Sequence, residues 1–510
     1  MPLDRDRRRL LQGLLATGSL GGALGLGGAL GLPGMGRVQV ARAEDGDPRF
    51  LIIMGCFGGA SMIDCFMPVA RRDAAVVDGR GRVISHDVVR VDGTPFSCVD
   101  RAAPRSFIER HHQDMVVLGT QSSSVNHFVA QARWVNGRDV HRGRTMAEMV
   151  SLAHGADMPL PNVNMGRGGY AVTGTDPTLD PRYRAEVVTN PVTFPLSTHG
   201  SKGVIPVGDT GAADPEVLGR LMQRTRAFRD EELEALSPFS RTFVNSRRRR
   251  DLLVNRRGSD PELEARQLIE RLLYVPDLGE ILPLGEYGLT TNPEAERILD
   301  EFRRAMPYNT SGTPRDRLDA QAALTYLLLR NGASAAVTLT EPGTDGFLAF
   351  DQSHQDHAAA QATHWDRTLT AASKLIELLS VAPYVNAEGT IDGTLWDRSM
   401  VVFATEFGRD KWETHDGFGT GHHLNNGLLA ISPLLAGGQQ LGEADPDSGF
   451  ICGFDRETGA PTPFTELGPG EDPLFSDPRL PPGEEEVCGT LLAALGVSYE
   501  GQRTIPVMLG

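Results

Sequence analysis

Glu406, Arg409, His415, Asp416, His422 and His423 occupy one short stretch, and the last two follow the turn-forming Gly419-Thr420-Gly421. A carboxylate with imidazoles returning on a glycine-rich loop offers oxygen and nitrogen ligands to a divalent metal such as Zn, Ca or Mg. Three more groups have similar chemistry. Asp64 closes Gly58-Gly59-Ala60-Ser61-Met62-Ile63-Asp64, while Asp351, His354 and His357 lie close together further along the chain. The third is the hydroxyl-rich run Gly119–His127, with Ser123, Ser124, Asn126 and His127 at its end. Backbone N–H groups point outward at such a turn, so it can hold an anion or present a nucleophile. Each group also has an ordinary structural explanation: a helix cap, an ion pair between Glu406 and Arg409, or a polar surface loop.

Position argues for the chemistry. Phe50–Met54, Met115–Leu118, Ala335–Thr340 and Met400–Ala404 are apolar runs of buried-strand length, and each precedes one of the four groups. Strand ends share one edge in a parallel, helix-covered sheet, and ligands bind there. The expected fold is therefore α/β, a large mostly parallel sheet flanked by helices. Pro161–Met165 and Gly427–Ile431 add expected strands. Phe107–His112, Arg144–Ala153 and Glu486–Leu495 are expected helices, as is a long amphipathic one carrying Trp365, Leu369, Ala372, Ile376 and Leu379. Segments 71–105, 166–212 and 436–485 are rich in turn formers and are expected to be irregular. Residues 213–310 are expected to form a helical insertion or cap on a single domain spanning 44–510. Its start signals are Ser259-Asp260-Pro261-Glu262 and Asn292-Pro293. Arg247–Arg250 lies among acidic helices and is expected to be a solvated face.

Composition narrows the class. A net charge of −16 over 510 residues gives no support to nucleic-acid binding. Arg7-Arg8-Arg9-Leu10-Leu11 precedes a mild Gly/Leu-rich stretch and Ala41-Arg42-Ala43, so 1–43 is expected to be a cleaved leader that resembles a twin-arginine signal. Its partner would be the twin-arginine export machinery. The mature chain would be periplasmic or extracellular, with no stable membrane span. The five cysteines include no CxxC pair, which argues against a zinc ribbon or redox motif, and the odd number leaves at least one thiol unpaired.

Four of these blocks together carry a family resemblance: Gly58–Asp64, Asn126-His127-Phe128-Val129-Ala130-Gln131, Thr405-Glu406-Phe407-Gly408-Arg409 and Gly419–His423. They resemble the motifs of a twin-arginine-exported bacterial family, the domain-of-unknown-function family numbered 1501, whose fold is similar to that of the alkaline phosphatases and sulfatases. The resemblance implies an alkaline-phosphatase-like core. It also implies a metal held by Asp64, Asp351 with His354, Glu406 and His422. Arg409 and backbone N–H groups would assist at an ester, and Ser123, Ser124 or a metal-activated water would attack it. Phe407 departs from the pattern where the superfamily carries a second histidine, Asn126 where the family has serine, and Gly421 where it has aspartate. The spacing Asp351-x-x-His354 is wider than usual, leaving His357 as an alternative ligand. The implied activity is metal-dependent hydrolysis of phosphate or sulfate esters, of envelope polymers for example. The alternative is a non-catalytic envelope or periplasmic binding protein on the same fold.

Overall fold

The computed structural model describes residues 46–77, 81–138, 141–188, 190–192, 194–197, 271–274, 290–306, 317–342, 349–413, 419–463 and 480–510. The proposed leader, the Ser259–Glu262 box, the arginine run and His415-Asp416 lie outside them.

Eight strands form one mixed sheet: β1 Phe50–Cys56, β2 Met115–Gln121, β3 Asn162–Asn164, β4 Glu186–Val187, β5 Ala336–Thr340, β6 Ser399–Thr405, β7 Asn425–Ile431 and β8 Gln439–Leu441. Their order is β8-β2-β7-β6-β1-β5-β3-β4. β7 runs antiparallel to β2 and β6, and every other neighbouring pair is parallel. β1 and β6 are buried at every residue, as strands covered on both faces must be, which explains why they are apolar without alternation.

Helices α2 (His127–Asn136), α3 (Met146–His154) and α7 (Glu484–Ala494) pack together. A second group comprises α1 (Ala102–His111), α4 (Pro293–Ala305), α5 (Leu318–Arg330) and α6 (His357–Val381). Among the described residues no helix is long and apolar enough to cross a membrane.

Several boundaries differ from expectation for physical reasons. α1 starts at Ala102, because Pro104 falls in the first turn, where no helical N–H is lost. Gln439–Leu441, expected to be irregular, adds an edge strand beside β2. In the expected insertion, Asn292 caps α4 by accepting the Glu294 N–H at 3.0 Å, with Pro293 at the first helical position. α4 packs on α5 and α6, and its buried Ile298, Leu299 and Phe302 belong to the main core.

The register sets up the site. Gly55 lies beside Ala404 on one side and Thr340 on the other, so β1, β5 and β6 end together. Gln121, the last residue of β2, pairs with Asn425, the first of β7. Asp64, Asp351, Glu406, His127 and His422 therefore all leave the sheet along one edge.

Candidate metal centre

Asp351 reaches this edge because of a glycine. Gly58 has φ +99°, and a Cβ there would sit 2.0 Å from the Asp351 backbone nitrogen. Only glycine permits both that conformation and that approach. The Phe350 N–H then donates to the Phe57 carbonyl at 2.9 Å and docks the segment onto the end of β1.

One oxygen of Asp351 is the focus of four groups. The Arg409 guanidinium donates to Oδ1 at 2.8 Å, and the Nε2 atoms of His354, His127 and His422 lie 3.3, 3.5 and 3.5 Å from it. His354 Nε2 and His422 Nε2 are 2.8 Å apart. His127, Asp351 and His422 form a group whose ligand atoms all lie within 4.8 Å of one another.

The far sides of the rings decide where the protons sit. His422 Nδ1 is 3.0 Å from the Val125 carbonyl oxygen, which can only accept, so Nδ1 carries a proton. His127 begins α2, and its Nδ1 lies 2.7 Å from Glu406 Oε1. Glu406 is wholly buried and also accepts the Gly58 N–H at 2.6 Å and the Gln131 side-chain amide. Gln131 cannot turn over, because its own oxygen accepts the Gly169 N–H at 2.6 Å. Arg409 donates to His354 Nε2 at 3.2 Å, which makes that nitrogen a lone-pair acceptor as well. In their neutral forms, with Nδ1 protonated on His127 and His422, the rings would aim their Nε2 lone pairs at one another and at a carboxylate. Such a set is stable only around a proton or a cation.

The electrostatics agree. Burial opposes the charge on Asp351, yet His422, Arg409 and the nearby His127 hold its carboxyl well below the usual range. Burial also works against protonation of His127, but Glu406 and then Asp351 outweigh it and raise its pKa. Burial pushes Glu406 up against the opposing pull of His127, and burial with Arg409 nearby pulls His354 down. Phe407 stacks on His422 with ring centroids 4.1 Å apart, and Phe57 stacks on His127 at 5.7 Å. The aromatic residue where a histidine is expected thus walls the site.

The expected ligands divide. Asp351, His354 and His422 come together, and His127, from the hydroxyl-rich run expected to hold an anion or present a nucleophile, joins them. Glu406 sits behind His127 with its acceptor positions occupied. Asp64 belongs to a neighbouring buried group, its two oxygens bonded to His86 Nε2 at 3.0 Å and His357 Nε2 at 2.9 Å. Burial opposes its ionisation, but the two imidazoles prevail and its carboxyl stays well below the ordinary range. His357 Nδ1 meets the Thr420 hydroxyl at 2.8 Å, and the Thr420 carbonyl accepts from Arg409 at 3.1 Å, which joins the two groups. Lys411 is buried close by, with no hydrogen-bond partner among the described residues, and burial lowers its ammonium to about 8. His86 carries no motif. It arrives from an irregular segment, and nothing in the local pattern marks it.

The serines and Arg409 differ from their expected roles. Ser123 donates its hydroxyl to Glu484 at 2.6 Å and accepts from Arg133, while the Ser124 oxygen accepts the Asn126 N–H at 3.1 Å. Among the described residues neither hydroxyl is paired with an imidazole, and the carboxylate beside Ser123, Glu484, lies outside the Asp351 cluster. Asn126 caps α2 by accepting the Val129 N–H at 3.2 Å. Arg409 is wholly buried and donates to the carbonyls of Gly58, Phe350 and Thr420 and to Asp351, so it braces the carboxylate from within. Replacing Ser123 with Ala is expected to leave metal content and any ester hydrolysis unchanged and to cost about 1 kcal/mol of stability through the lost Glu484 bond. Metal analysis, rate assays and urea unfolding of the variant check this; a large loss of rate with the fold intact would make Ser123 a reacting group.

Compared with known protein families and with curated proteins, the chain matches no family model and no curated protein.

Proposed function

We propose that the chain is an exported, metal-dependent hydrolase of phosphate or sulfate esters, with an alkaline-phosphatase-like core and membership of the domain-of-unknown-function family 1501. The observation that carries the metal reading is the convergence of His127, His354 and His422 Nε2 on Asp351 Oδ1, with the outer nitrogens of His127 and His422 held by Glu406 and a carbonyl. Tetrahedral zinc with ligands at about 2.0–2.1 Å has ligand–ligand edges of about 3.3 Å. The three imidazole distances to Asp351 and the His354–His422 distance, 2.8 to 3.5 Å, bracket that edge, and the ligand atoms of His127, Asp351 and His422 all lie within 4.8 Å of one another. A nitrogen-rich donor set favours zinc or a similar transition metal over calcium or magnesium.

A bound cation would polarise an ester oxygen and lower the pKa of water at the site. The protein's own groups do the positioning. Glu406 keeps the His127 proton on Nδ1 and so turns Nε2 inward, the outer-shell role that carboxylates take behind metal-binding histidines. Arg409 holds Asp351 and offsets part of its charge, while Phe57 and Phe407 keep water from the ring faces. With Ser123 bonded to Glu484 and Ser124 accepting the Asn126 N–H, neither serine is paired with a group of the cluster, and water is the attacking group. The same engaged serines favour a second reading, a binding protein without turnover.

Protein purified without chelator should hold about one zinc equivalent per chain, and chromogenic phosphate or sulfate esters should be cleaved only by the loaded form. A chain that takes up no divalent metal sinks the metal reading. Metal without hydrolysis favours the binding protein.

A further inference from the structure

We propose that the ester taken at this centre carries an apolar chain, its anionic head at the imidazole cluster and its hydrocarbon part seated on Val125, Phe128, Val129 and Leu424. This rests on the metal-centre reading above and adds the substrate class to it.

These four side chains are 44, 56, 38 and 37% exposed. Large apolar groups clustered at the surface of a folded chain mark sites of contact. Here each lies within two residues of His127 or His422. The Val125 carbonyl holds His422 Nδ1 at 3.0 Å. The Ser122 N–H donates to the Leu424 carbonyl at 2.8 Å, so 122–125 and 422–424 run side by side. Leu424 is two residues from His422, at the bend that joins His422–His423 to β7. Phe128 and Val129 stand in the first turn of α2 beside His127, and the Asn126 cap holds that turn. The remaining exposed apolar side chains include Val381, Val385 and Ile391 near the end of α6, and no other metal-type cluster exists among the described residues to accompany them.

Charge complementarity selects an anion for the head. Arg409 offsets Asp351 and Glu406 adds one negative charge behind His127, so a divalent cation at the Asp351–imidazole cluster still leaves these groups net positive. The apolar rim gives nothing to a sugar or a short polyol, but it removes an alkyl or aryl group from water.

The experiment titrates the zinc-loaded full chain with methyl phosphate and with octyl phosphate below its micellar concentration. Octyl phosphate should bind about 30-fold tighter, from partial burial of its added methylenes. The double variant Phe128→Ser/Leu424→Ser should bind methyl phosphate as the wild type does and lose most of that ratio. Equal wild-type affinities for the two ligands, or a ratio unchanged in a folded variant, would overturn the apolar subsite while leaving the metal centre standing. Failure of zinc-loaded protein to bind either ligand would remove both. The wild-type ratio decides the matter even if the variant does not fold.

Discussion

Lowering the pH from 7 to 4 should unfold this protein cooperatively, with a midpoint between those limits. Three imidazoles set the expectation. Burial, with Arg110 nearby, lowers His111 to about 4; burial lowers His141 to about 4; and burial with Lys411 lowers His423 to about 4. His111 presses its ring edge on Phe107 at 4.8 Å, His141 packs on Tyr499 at 4.6 Å, and His423 stacks on Phe450 at 4.7 Å. An unfolded histidine titrates near 6.5. Between that pH and about 4 the unfolded chain binds protons that the folded chain refuses. Stability from these groups is therefore complete above pH 6.5 and lost as pH falls towards 4.

A difference of roughly 2.5 pK units corresponds to about 3 kcal/mol per group. Three such groups together rival the 5–15 kcal/mol that holds a typical domain folded. His127 works in the other sense. Its raised pKa contributes stability at low pH that is lost as pH rises through the folded value. The raised carboxyls of Glu406, Glu148 and Asp366 also favour the folded chain as pH falls, while the lowered His354, Asp351 and Asp64 act with the three imidazoles. Circular dichroism and tryptophan fluorescence followed against pH give the midpoint. His111→Phe keeps the ring against Phe107 and removes one proton-binding site, so its midpoint should lie lower by several tenths of a pH unit. A chain still folded at pH 3, or a midpoint unmoved in the variant, refutes the assignment.

The strand ends were legible in the sequence because burial on both faces leaves an unmistakable mark. Phe50–Cys56 and Ser399–Thr405 are apolar runs that turn polar where the sheet stops. The sequence therefore brought Asp351, His127, His354 and His422 to one edge without any distance being known. It could not assign roles within that edge. Glu406 and His127 are 279 positions apart, and which of them faces inward depends on Gly58 and Gln131 supplying donors to the carboxylate. His86 was invisible because it comes from a segment with no periodicity, and it meets Asp64 only through the folded path of 65–99. α5 was missed for the opposite reason. Leu318–Leu329 is buried all round, so it has no amphipathic stripe to read.

Replacing Glu406 with Gln should weaken zinc binding about 10- to 100-fold without touching a ligand atom. The reason lies in the count of donors. The Gly58 N–H, the Gln131 amide and His127 Nδ1 all point at this one side chain. A carboxylate accepts all three. A glutamine amide has one oxygen, so its NH2 must face another donor in a buried setting. Gln131 cannot turn its amide to relieve the clash, since the Gly169 N–H already holds its oxygen at 2.6 Å. The buried mismatch should lower stability by about 1–3 kcal/mol. His127 should also lose the charge that holds its proton on Nδ1, so its pKa should fall and its Nε2 should no longer be fixed towards Asp351. Competition titration with a zinc chelator measures the affinity, and NMR of the metal-free variant follows the His127 ring. Ser123→Ala, which alters a hydroxyl outside the cluster, serves as the control. If Glu406→Gln binds zinc as tightly as the wild type while the His127 pKa stays raised, then Glu406 is only a buried structural acid, and the ring is oriented by its stacking on Phe57 and its place at the start of α2.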